Sequence, residues 1–438
     1  MGSTVRRGRA RSSCVVATAL ALLAVGAGPG GAATPAPTTA PAPATAAAAA
    51  AAKAMARAKA RASTEPANAT LGYRANARHD SFVAGATAAP PFTKAWSLDL
   101  GSAVSAPVAV GGKVYVVVNA AAEEGSDGPR MELVGLDAAT GTRLWPQRLI
   151  TDNDPKATLA YGGGLLYTQT GRGVVTAWDP ATGRQRWTRS IGSGSCEYPP
   201  TWYDGTLYTQ DGRGTALALR PSDGSELWRA PLVDWGWSPV VVDEVGVWFG
   251  FDNSSYQLLD RRTGRELRRY DVPDRTELGG NPIARGAGAL WLRSDDLDDE
   301  RTVAYDQNTG AVLRSFPADA TPAFGPGRVY VAYRGVVKAI STTTYKTVWS
   351  YTSPRQAAAV RLVAGGYVYV RDGNGKLVVL NERTGAVVWS YRLWTEPHPM
   401  EDVPAENDWR GWVNPGIATA SGRVFAPAEN GVLIAFKD

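Results

Sequence analysis

From about residue 93 to the end of the chain, short runs of alternating Val, Leu and Tyr are separated by glycine-containing turns. Alternation with a period of two is the signature of β-strands, and glycines between the runs mark tight hairpins. Two patterns recur in register. The first is Gly, a β-type residue or two, then an aromatic: Gly112–Tyr115, Gly164–Tyr167, Gly205–Tyr208, Gly246–Trp248, Gly288–Trp291, Gly327–Tyr330, Gly366–Tyr369 and Gly422–Phe425. The second follows it. A turn ends in Thr-Gly or a variant, and a Trp comes four residues later: Gly141 and Trp145, Gly183 and Trp187, Gly224 and Trp228, Gly385 and Trp389. Tyr345 stands in the glycine place before Trp349, while Arg268 and Arg314 replace the Trp after Gly264 and Gly310.

Eight copies about forty residues apart match the spacing of one four-stranded propeller blade. A single blade leaves apolar faces exposed, so the blades must stack. The chain ends at Asp438, where another Thr-Gly turn and Trp strand is due, and 94-KAWSL-98 is a Trp strand with no preceding half. The pattern therefore predicts an all-β, eight-bladed β-propeller of four-stranded antiparallel blades over residues 91–438. The N-terminal strand is expected to complete the C-terminal blade and remove the open edges.

Composition adds the regions before the repeat. Arg6, Arg7, Arg9 and Arg11 precede an apolar run from about Cys14 to Ala27 and the small residues Gly31-Ala32-Ala33. That order reads as a signal peptide over 1–33 and an extracellular or cell-envelope location. The run is too short and glycine-rich for a membrane span. Residues 34–90 begin Ala- and Pro-rich and are expected as a disordered linker.

The formal net charge is +5. The basic excess sits in the leader and linker, which leaves the propeller region slightly acidic and gives no basic face for nucleic acid. Two histidines leave little for His-based metal sites or triads. Removal of the leader leaves Cys196 as the lone cysteine, so no internal disulfide forms.

The pattern A-x-D-x-x-T-G-x-x-x-W, met in full at Ala177–Trp187, resembles the tryptophan-docking motif of pyrroloquinoline-quinone (PQQ)-type propeller repeats. That family holds quinoprotein alcohol dehydrogenases and cofactor-free propellers, among them the lipoprotein of the outer-membrane β-barrel assembly machinery. The resemblance to the dehydrogenases implies an adjacent cysteine pair and a Ca²⁺ site of Glu, Asn and Asp. Here Cys196 is flanked by Ser195 and Glu197 instead. Glu197, Asn281 and Asn414 are the loose candidates for such a site. This departure favours a cofactor-free, non-catalytic binding scaffold, probed against the alternative of a PQQ- and Ca²⁺-dependent oxidoreductase.

Naming the strands of each blade A to D from the axis outward, the D–A and B–C connections share one face. That face collects the insertion 119–130, the acidic run 295–300 and the long segment 394–412. Loops on a rigid scaffold carry binding more often than its strands do. The candidate ligand-binding residues on this face are Glu197, Trp235, Trp237, Asn281, Arg355, His398, Asp408, Trp409, Arg410, Trp412 and Asn414. The tryptophans offer apolar area with an N–H handle for a protein, peptide or envelope glycan, or they plug the funnel. A monomer is expected.

Overall fold

The computed structural model describes residues 66–120, 130–151, 154, 156–192, 198–234, 239–251, 255–271, 284–294, 300–395 and 416–438. They form eight four-stranded antiparallel blades in a closed ring. Blades 1 to 7 cover residues 108–151, 157–190, 201–231, 241–271, 284–317, 323–352 and 358–392. Blade 8 takes its three inner strands from 418–437 and its outer strand from Thr93–Asp99, which pairs antiparallel with Val432–Lys437. The ring closes as its two half-motifs predict.

The aromatic of each Gly-x-x-Tyr repeat is buried on strand B, as at Tyr115, Tyr167, Trp248 and Tyr369. The core lies between the faces of adjacent blades. One cluster joins Trp228 of blade 3 to Val240, Val247 and Phe249 around blade 4. The motif aspartate folds its own turn: Asp179 Oδ1 accepts the N–H groups of Ala181 and Thr182 at 2.9 and 3.1 Å. That turn delivers Gly183 at φ 63°, a left-handed position that suits glycine.

Neighbouring blades are joined by the outer-strand tryptophans. The Trp187 indole N–H donates to Pro221 O at 2.7 Å, Trp228 to Arg261 O at 2.9 Å and Trp349 to Glu382 O at 2.9 Å. Each ring lies flat on the turn glycine of the next blade. Where the Trp is missing, other rings take over. Tyr270 covers Gly310 and donates its hydroxyl to Asn308 O at 2.5 Å.

Residues 66–92, assigned to the disordered linker up to residue 90 by sequence, are instead built into the ring. They run once around its axis as a cap. The Thr70 carbonyl accepts the Ala109 N–H of blade 1 at 2.8 Å, and Leu71 O accepts Tyr161 N–H of blade 2 at 2.7 Å. Ala77, Arg78, Asp80 and Ser81 carbonyls then accept the N–H groups of Val242, Arg285, Phe324 and Val363, in blades 4 to 7, at 2.8–2.9 Å. In blade 8 the Thr419 N–H meets the Thr70 hydroxyl at 2.9 Å. Phe82–Val83 continues as a short parallel strand beside Val363 and Ala364. The Gly85 N–H donates to Ala67 O at 2.9 Å and closes the circuit.

The physical reason is edge satisfaction. Every A strand presents unpaired backbone groups to the axis, and a backbone buried there needs partners. The contacts fall next to the A–B turns, so the cap covers the face opposite the D–A and B–C connections.

Candidate functional site

The cap is held by its own polar side chains. Asn76 Nδ2 and the Phe82 N–H both donate to Asp80 Oδ1, at 2.6 and 2.8 Å. Arg74, at φ 48°, reaches across the axis. Its Nη2 donates to Pro322 O at 2.6 Å and Thr321 O at 3.2 Å, and its Nε to His79 O at 3.0 Å. His79 is buried with its ring edge-on to Tyr73 at 5.0 Å. Burial pushes the Asp80 carboxyl above its ordinary range; its bonds to Asn76 and Phe82 and the charges of Arg78 and Arg74 pull the other way.

Between the cap and blades 2 and 3 lies a cavity of about 390 Å³, within the range of small-molecule sites. Its walls are mostly apolar and aromatic, with Tyr73, Tyr161, Trp202 and Tyr203 facing Leu71 and Val83. Asn76, Arg78, His79 and Asp80 supply the polar edge. The arrangement can bind a small amphiphilic group. Sequence reading missed it because the cap has no repeat pattern. The available signals were Asn76 and Asp80, both turn formers, just before the β-type pair Phe82-Val83.

Of the residues singled out from sequence, Glu197, Trp235, Trp237, Asn281, His398, Asp408, Trp409, Arg410, Trp412 and Asn414 lie outside the described residues, as does Cys196. Arg355 is exposed between blades 6 and 7, where its Nε donates to Asn374 Oδ1 at 2.9 Å.

Among the described residues no three of His, Cys, Asp and Glu converge as a metal site; Glu197, Asn281 and Asn414, the loose candidates for Ca²⁺, lie outside them. At the cap end of the axis, the space is filled by the chain's own backbone from Ala69 to Val83.

The closed ring of eight four-stranded blades, joined by Trp on Gly, defines a PQQ-like repeat β-propeller. The chain belongs to the family described as outer membrane protein assembly factor BamB, whose family model matches residues 93–198, 172–295 and 252–438. A serine/threonine-protein kinase AfsK from Streptomyces griseus is 32% identical over 151 residues, covering 31% of this chain and 18% of the kinase. A BamB from Kangiella koreensis is 27% identical over 135 residues, covering 29% of this chain and 34% of that protein. The chain thus spans about a fifth and about a third of the lengths of these two relatives.

Among solved structures, BamB from Moraxella catarrhalis superposes with TM-score 0.55 at 16% identity, over 80% of this chain and 98% of that one. The quinohemoprotein alcohol dehydrogenase of Comamonas testosteroni gives TM-score 0.62 at 15% identity, over 84% and 80%. At such identities the likeness is one of fold. Among the described residues no helix is long and apolar enough to cross a membrane.

Proposed function

We propose that this protein is an exported, non-catalytic scaffold that presents the D–A and B–C face of its propeller to a partner protein in the cell envelope. The observation that carries this reading is the cap. It uses up the inner strand edges on the A–B side with backbone carbonyls on six blades and the Thr70 hydroxyl on a seventh, so the opposite face is the one left to a partner. The family, described as an assembly factor, supports a role in holding other proteins, and the leader supports export. The long D–A segment 394–412 carries three tryptophans and Arg410, residue types enriched at interface hot spots.

The test is site-specific photo-crosslinking in the native host. Probes at Arg355 and Trp412 are compared with probes at Gly205 and Ser421 in the A–B turns. A discrete crosslinked protein from the first pair alone supports the reading. Crosslinks from the A–B turns alone, or substrate turnover by the purified chain with PQQ and Ca²⁺, would overturn it.

A further inference from the structure

Position for position, the seven capped A strands are alike. The donor is always the residue after the one paired with the buried aromatic of strand B. Val108 pairs with Tyr115 and Ala109 donates; Val241 pairs with Trp248 and Val242 donates; Ala323 pairs with Tyr330 and Phe324 donates. In blade 3, Thr201 pairs with Tyr208, so the equivalent donor is Trp202. Its backbone N–H faces the axis by the same alternation, yet no acceptor among the described residues meets it. Its indole Nε1 is also buried without an acceptor. The 390 Å³ cavity lies at this position, lined by Trp202 itself. Trp202 itself is half-buried, and a backbone donor at the wall of a mostly apolar cavity calls for an oxygen acceptor.

We propose that the eighth acceptor is supplied by a ligand. It is a small apolar molecule bearing a carboxylate or amide carbonyl oxygen, seated in the cavity with that oxygen on the Trp202 N–H. In seven blades the same position is filled by an oxygen of the cap, six of them peptide carbonyls, which defines the chemistry wanted. Leu71, Tyr73, Val83 and Tyr203 provide the apolar walls. The rim carries Arg78, held by a half-exposed ion pair to Glu244 at 3.6 Å. Such a pair is weak and leaves the guanidinium able to turn toward a carboxylate. This inference is independent of which face meets a partner protein.

The test uses the full chain labelled with ¹⁵N-tryptophan and two probes, 3-phenylpropionate and the capped tripeptide Ac-Ala-Val-Ala-NH₂. Binding should move the Trp202 amide cross-peak and slow its hydrogen exchange by at least about tenfold. A response to the acid alone identifies a free carboxylate as the ligand class; a response to the peptide alone identifies an extended chain. Ala77→Phe, which fills the cavity, should abolish the response. A response that survives in that variant, or silence with both probes, overturns the proposal. Should Ala77→Phe fail to fold, a crystal structure of the wild type soaked with each probe decides: only water on the Trp202 N–H defeats the proposal.

Discussion

The guanidinium of Arg314 lies 4.5 Å from the ring centre of Tyr345. Arg314 stands where the repeat calls for Trp, and Tyr345, at φ 56°, where it calls for Gly. A cation–π pair has thus replaced a Trp-on-Gly contact between blades 5 and 6. A partly exposed pair contributes about 0.5–1 kcal/mol, and a left-handed non-glycine residue costs about 1–2 kcal/mol. Tyr345→Gly should therefore leave stability between unchanged and about 1.5 kcal/mol higher. Arg314→Trp should destabilise the wild type, where the indole meets the tyrosine ring, and stabilise the Tyr345→Gly variant by about 1–2 kcal/mol. Denaturant unfolding of the four proteins checks this coupling. An Arg314→Trp effect of one sign in both backgrounds would refute it.

The repeat contact itself is steeper. At Gly224, φ 71°, an added Cβ would fall 2.6 Å from the Trp187 ring. Gly224→Ala combines the left-handed cost with overpacking, for about 2–5 kcal/mol. Gly205, φ 80°, has nothing within 4 Å of such a Cβ, so Gly205→Ala should cost only the conformational part, about 1–2 kcal/mol. Unfolding midpoints of the two variants give the comparison. Equal losses would mean that the indole contact contributes nothing to the difference.

The ring was legible because its information is local and repeated. Turn glycines, the capping aspartates and alternating Val and Tyr recur in each blade, and the orphan Trp96 strand revealed the closure. The cap was not. Thr70 and Thr419 are bonded across 349 positions, and Ala69 to Val83 takes its shape from strand edges supplied by distant blades. Backbone pairing of that kind leaves no periodic trace in side chains. The sequence also showed that Arg268 and Arg314 break the Trp pattern. That Tyr270 lies over Gly310 and Tyr345 under Arg314 needed coordinates.

Asp80 gives the cap a pH dependence. Burial is the largest influence on its carboxyl and raises its pKa, against the opposing bonds from Asn76 and Phe82. A carboxyl raised on folding favours the folded state when protonated. Its contribution is complete below the ordinary aspartate range and is lost as pH rises through the folded value. Asp80→Asn keeps an Oδ1 acceptor without the buried charge. Above the folded pKa the variant should match or exceed the wild type in Tm, and the advantage should vanish at acidic pH. A wild type that is the more stable protein at pH 8 would show that the two hydrogen bonds outweigh desolvation.

Arg74 offers the sharpest separation of cap from ring. Its three hydrogen bonds tie the cap to the Thr321 and Pro322 carbonyls before blade 6 and to His79. Charged donors of this sort contribute about 1.5–3 kcal/mol each when judged singly, and bonds from one side chain do not add fully. Arg74→Met keeps the stem and removes the donors. If the cap opens as a unit, native-state hydrogen exchange should quicken together at Val242, Arg285, Phe324 and Val363, whose amides the cap covers. Amides between strands B and C, such as Tyr167 and Thr168 against Ala177 and Thr176, should keep their protection because their partners stay within the blade. Uniform acceleration everywhere would mean that cap and ring unfold in one step, with the cap serving as the element on which closure of the ring depends.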